Sequence, residues 1–152
     1  MLSRRRPASS VEVRGDDPEG IAEHVLAATG GRRADLRAFA ALGAYRGERL
    51  LGGFLYTNYR PIADTGLYSV DMHMAGEPGW LTRSTLRAFF AYPFLQLNCS
   101  RLVGSIRADN AAARRVAEGI GCKLDGVVRS GISSELDTCI YTMTRPECLW
   151  IR

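Results

Sequence analysis

Lysine is almost missing from this chain of 152 residues: Lys123 stands alone, and nearly all the positive charge is arginine. Histidine is scarce too, with only His24 and His73. Four cysteines are present, Cys99, Cys122, Cys139 and Cys148, but no two have a C-x-x-C spacing. With two histidines they complete no metal-binding set. Long hydrophobic runs are absent; nothing approaches the roughly 20 apolar residues of a membrane helix. Arg4, Arg5 and Arg6 are not followed by an apolar segment, so no secretory signal is expected there. The expectation is a cytoplasmic protein with reduced thiols, Cys122 and Cys139 lying in apolar, core-like contexts. There is no internal repeat, low-complexity segment or linker.

What is there is ordinary globular composition, 46% hydrophobic and 24% charged. The length fits one domain, residues 1–152, with 1–9 read as a flexible basic tail. A net charge of +4 and a pI near 9.1 favour an anionic partner. A coenzyme with several phosphates suits. Nucleic acid is disfavoured, because aromatic residues are not interleaved with the basic ones.

Val11 and Val13 flanking Glu12 suit a first strand. Asp16 or Asp17 before Pro18 starts a helix, with Ile21, Val25 and Ala28 on one face and Gly30-Gly31 at its end. Leu36 to Arg46 and Arg49 to Tyr59 read as a hairpin about Gly47-Glu48. Gly52 and Gly53 within it suggest a bulge or a close approach. In the fourth strand, Leu67 to Met74, Val70, Met72 and Met74 take one face, Asp71 and His73 the other. A loop from Ala75 to Trp80 leads to a helix beginning near Leu81 or Thr82. Leu86, Phe89, Phe90 and Pro93 share one face, and Pro93 breaks the helix. Arg101 to Ile106 is a fifth strand. Lys123 to Ile132 and Asp137 to Arg145 form a last antiparallel pair.

The segment between carries the most information. Asp109 or Asn110 is a helix N-cap. Ala113, Val116, Ala117 and Ile120 follow at i, i+3, i+4 and i+7, and Gly121 stands where the chain leaves the helix left-handed. The pattern N-x-x-A-x-x-V-x-x-x-x-G-C-x-x-x-G, Asn110 to Gly126, with Asp125 and Arg129, resembles the C-terminal half of the GNAT acetyltransferases. The ribosomal-protein N-acetyltransferase branch resembles it most. The element order β-α-β-β-β-α-β-α-β-β matches the same family over nearly the whole chain, with a second early helix short or absent.

The resemblance implies a single-domain α/β fold: a mixed sheet of about seven strands flanked by helices, splayed between the fourth and fifth. It implies acetyl-CoA as acyl donor and direct transfer to a primary amine: a protein N-terminus, a lysine or a small amine. It is also compatible with a homodimer. The pyrophosphate loop falls at Gly76 to Thr82. Of the family motif (Q/R)-x-x-G-x-(G/A) only Gly79 matches; Gly76 and Leu81 depart from it. Trp80, Leu81, Thr82 and Arg83 accompany Gly79 at the helix mouth, where free N–H groups suit phosphate. Trp80 either packs under the helix or lies on the pantetheine arm. Asn110 is a second coenzyme contact, and Arg114 and Arg115 are candidates for the 3′-phosphate. Backbone amides around Met72, His73 and Met74 would polarise the thioester carbonyl.

For the base, His73 has the better intrinsic pKa, and Asp71 acts through water or orients it. The family's usual acid, a tyrosine seven residues after the Asn, is here Ala117; Tyr141 is the substitute. The same departures favour the alternative of a GNAT-fold module that binds acyl-CoA or a protein without turnover.

Overall fold

A computed structural model describes residues 10–152, so the tail expected at 1–9 lies outside the described residues. Seven strands form one sheet in the order β1-β2-β3-β4-β5-β7-β6. They are β1 (Val11–Arg14), β2 (Phe39–Arg46), β3 (Arg49–Pro61), β4 (Tyr68–Gly76), β5 (Cys99–Arg107), β6 (Lys123–Ser133) and β7 (Leu136–Thr144). Among the described residues only β4 and β5 pair in parallel, and every other pair is antiparallel.

Three α-helices cover it: α1 (Pro18–Thr29), α2 (Arg83–Ala91) and α3 (Ala111–Gly119). The Asp17 carboxylate caps α1 by accepting from the Gly20 amide at 3.0 Å. Its buried face is Ile21, Ala22 and Val25, packed on Ala41, Tyr45 and Leu55. Ala28, expected on that face, is exposed in the last turn of the helix. Where a second early helix was in doubt there is only a 3₁₀ turn, Arg33–Asp35.

α2 and α3 lie on the opposite face. Thr82 and Thr85 form a reciprocal capping box at the start of α2. Phe89 and Phe90 then enter an aromatic cluster with Phe54, Trp80 and Phe94. Pro93 does not end the helical path as expected; the chain continues in a wide π turn, Tyr92–Gln96. Proline has no N–H to offer the Phe89 carbonyl four residues back. The buried Tyr56 hydroxyl donates to that carbonyl at 2.6 Å. Bonds and ring contacts of this kind, rather than helix propensity, hold the turn.

Gly52 and Gly76 are register partners on β3 and β4. A Cβ on either would meet the Trp80 indole, at 2.6 Å for Gly52 and 2.4 Å for Gly76. The indole lies flat on this glycine pair, which accounts for both residues. Gly53 is closed from the other face by Ile21 of α1. The register shift of the hairpin falls nearby, between Ala44 and Tyr45.

Candidate active site

β4 and β5 pair only from Tyr68↔Cys99 to Asp71↔Val103, yet β4 runs on to Gly76 and β5 to Arg107. Beyond Asp71 and Val103 the strands part, and a fork opens in the middle of the sheet. β3 still holds the far edge of β4 through Gly52↔Gly76.

The ladder also sets which way the amides of β4 point. The Glu77 amide donates to the Leu51 carbonyl at 2.9 Å, and the register from Gly52↔Gly76 to Thr57↔Asp71 is uninterrupted. Antiparallel bonding alternates. The amides of Ala75 and His73 therefore face β3, and those of Met72, Met74 and Gly76 face β5; the last parallel pair, Asp71↔Val103, takes the Met72 amide to the Val103 carbonyl, which leaves those of Met74 and Gly76 facing the fork. Of the three residues expected to supply carbonyl-polarising amides, Met74 turns its amide into the gap, the Met72 amide is held by the Val103 carbonyl, and the His73 amide faces β3.

A cleft of about 1390 Å³ passes through this fork. On the α2/α3 face its walls include Trp80, Leu102, Gly104, Ile106 and Tyr141, with Asn110, Ala113, Val116 and Ala117 from the start and flank of α3. On the α1 face they include His73, Thr57, Ser105 and Ile140, and the loop from Thr29 to Ala38. The volume exceeds the roughly 300–1,000 Å³ of a pocket for a drug-sized ligand.

His73 lies beside the fork on the α1 face. Burial lowers its pKa from the usual histidine value, partly offset by the Asp71 charge. The ring is therefore neutral near pH 7. Its Nε2 and the Thr57 Oγ1 share a hydrogen bond of 3.1 Å, and Nδ1 has no partner among the described residues. Asp71 makes no hydrogen bond to His73: it accepts from Arg60 at 3.0 Å and from Asn58 at 3.1 Å.

Tyr141 is buried on β7, opposite Gly104. Its hydroxyl donates to Glu118 Oε1 at 2.8 Å and accepts from Arg114 Nε at 3.1 Å. The Arg114 guanidinium also reaches the Ala108 carbonyl at 3.3 Å, so it turns inward under α3. Arg115 is exposed. Asn110 caps α3 by accepting from the Ala113 amide at 3.1 Å, while Asp109 pairs with Arg107 at 3.0 Å.

At the mouth of α2, Gly79 has φ +91°, a conformation that glycine adopts without strain. The Trp80 amide bonds back to Glu77 and the Thr82 amide to the Thr85 hydroxyl. The amides of Gly79, Leu81, Arg83 and Ser84 have no hydrogen-bond partner among the described residues. Trp80 both packs and lines the cleft: it is 7% exposed, with ring centroids 5.6 Å from Phe54 and Phe89.

Thr57 and Gly104 escaped the sequence reading. Gly104 had a signal, a glycine between Leu102 and Ile106 in a strand. Thr57 had none, because its partner is 16 residues away.

The sequence matches no protein-family model and no curated protein. Solved structures do match. Mycobacterium smegmatis RimJ in complex with CoA-disulfide superposes with a TM-score of 0.66 at 16% identity, over 93% of this chain and 85% of that one. The Salmonella typhimurium protein yncA, with its cofactor acetyl-CoA, gives 0.63 at 14% identity, over 90% and 94%. A GNAT-family acetyltransferase from Bacillus anthracis gives 0.56 at 17% identity, over 70% and 67%. At these identities the likeness is one of architecture, and the architecture of this chain is the GNAT acetyltransferase fold.

Proposed function

We propose that this chain is an N-acetyltransferase that moves an acetyl group from acetyl-CoA directly to a primary amine. One observation carries the reading: the fork sets the Met74 amide, beyond the last β4–β5 pair, between a neutral histidine on one face and the mouths of two helices on the other. The chain's own groups fit the donor. Four unpartnered amides, at Gly79, Leu81, Arg83 and Ser84, make a cradle for a diphosphate, and the exposed Arg83 guanidinium adds charge beside them. Asn110 and Trp80 border the route from there to the fork. Bound there, acetyl-CoA supplies the acyl group and a thiol that can leave.

In this reading the Met74 amide holds the carbonyl oxygen as charge builds on it. His73 donates its Nε2 proton to Thr57 and takes the proton of the attacking amine on Nδ1. Asp71 secures the end of the β3–β4 ladder through Arg60 and Asn58. Tyr141, with Arg114 donating to its oxygen, returns a proton to the departing sulfur. No enzyme thiol takes the acyl group: Cys122, the cysteine that lines the cleft, is pushed up to about 12 by burial.

A second reading is a module that binds acyl-CoA without turnover. It is favoured by Ala117 in place of a tyrosine and by the commitment of the Tyr141 proton to Glu118. Thiol release from acetyl-CoA, measured with peptide N-termini, lysine peptides and small amines, decides between the two. Release above background with any acceptor, lost in His73→Ala at unchanged CoA affinity, supports the enzyme. Binding without release supports the module, and no binding of any CoA derivative removes both.

A further inference from the structure

Glycine inside a strand marks a bulge, a tight contact or the approach of a ligand. In this sheet most such glycines are explained by contact: a Cβ on Gly43, Gly52, Gly53 or Gly76 would come within 2.7 Å of a neighbour. Gly104 differs. It lies inside β5, flanked by β4 and β7, and its register on β7 is uninterrupted, so there is no bulge. Its φ is not in the left-handed region, so no turn demands it. A Cβ there would meet only the Met72 carbonyl oxygen, at 3.7 Å, an ordinary contact. Neither packing nor backbone conformation requires glycine at this position.

Its location supplies the reason. Gly104 is the first residue of β5 past the last pair, Asp71↔Val103, and it lines the cleft. By alternation a side chain there would point to the α2/α3 face with Leu102 and Ile106, between Met72 and Tyr141. It would enter the fork beside the Met72 carbonyl. We infer that Gly104 is the clearance through which the acyl thioester enters the fork, and that this missing side chain sets the size of acyl group the chain accepts. The inference rests on the acyl-transfer reading above, and predicts that acyl groups longer than acetyl bind the parent protein as well.

The test is calorimetric titration of the parent, Gly104→Ala and Gly104→Val with free CoA, acetyl-CoA and butyryl-CoA, alongside thermal unfolding. Both variants should unfold at or above the parent's temperature, because the site has room and strands favour side chains over glycine. Free CoA should bind all three proteins within about twofold. Acetyl-CoA should weaken about tenfold in Gly104→Val and butyryl-CoA more, as overfilling a packed site costs in proportion to the added volume. Gly104→Ala should show the same order with smaller steps, and stands in should the valine variant not fold. Equal acyl-CoA affinities in parent and variants, or an equal loss with free CoA, overturns the assignment of Gly104 alone. A parent that binds no CoA derivative overturns the acyl-transfer reading first.

Discussion

The two halves of the sheet are built for different work. β1 to β4 are covered on both faces, by α1 on one and by α2 with its aromatic cluster on the other. β5, β7 and β6 carry α3 on one face, over a small cluster of Ala117, Cys139 and Tyr141. The edge strand β6 leaves Leu124, Val127 and Val128 about half exposed. The fork opens where these halves meet. Rigidity on the β4 side keeps the Met74 amide aimed at the gap, and the thinner β5 side leaves volume for a ligand.

Breaking the well-packed half should produce the largest effect. Phe89→Ala removes a fully buried ring stacked on Phe54 at 4.2 Å and should cost about 3–5 kcal/mol in denaturant unfolding. Val127→Ser on the other half should change stability by no more than about 0.5 kcal/mol. Similar losses from the two would show that the halves share one load.

His73→Gln should reduce turnover by about 10²-fold or more while CoA affinity holds. It also tests a pH effect whose sign follows from burial. The folded ring takes its proton only below the usual histidine value, whereas the unfolded chain takes it near about 6.5. Between those values the unfolded state holds more protons, so stability falls as pH drops through that window and is level above it. Urea midpoints for the variant should lose this slope, and an unchanged slope would assign it to another group.

Gly76→Ala drives a methyl into the Trp80 indole and should cost about 1–3 kcal/mol. Gly126→Ala on β6, with nothing within 4 Å, should be nearly neutral. The smallest effect sought is Asn110→Ala, about 1 kcal/mol from the lost α3 cap. If CoA affinity in that variant drops further than stability does, Asn110 also contacts the ligand.

Much of this was legible locally. The period-2 alternation of β4 separates Met72 and Met74 from His73, and steric alternation of Cβ is enough to see it. Asp16 or Asp17, Asp109 or Asn110, and Gly121 announce helix ends because caps are made by neighbours in the chain; the structure selects Asp17 and Asn110, and Gly121 has φ +104°. Other readings needed contacts between distant residues. Arg114 sits where a helix wheel presents it to solvent, but the Tyr141 hydroxyl, 27 residues on, turns it inward. Pro93 reads as a helix stop until Tyr56, 33 residues before Phe89, supplies the missing donor. Gly76 departs from the family's phosphate-loop motif because the Trp80 indole occupies the surface that a Gly76 side chain would take.

By itself the sequence determined the order of elements, their caps and the faces of their side chains, since these depend on residues within a turn or two of one another. Only the tertiary structure decided where β4 and β5 part, which amides point into the gap and which glycines are packed rather than open. Those are set by cross-strand register and by side chains arriving from remote segments, and neither is encoded in any short stretch of chain.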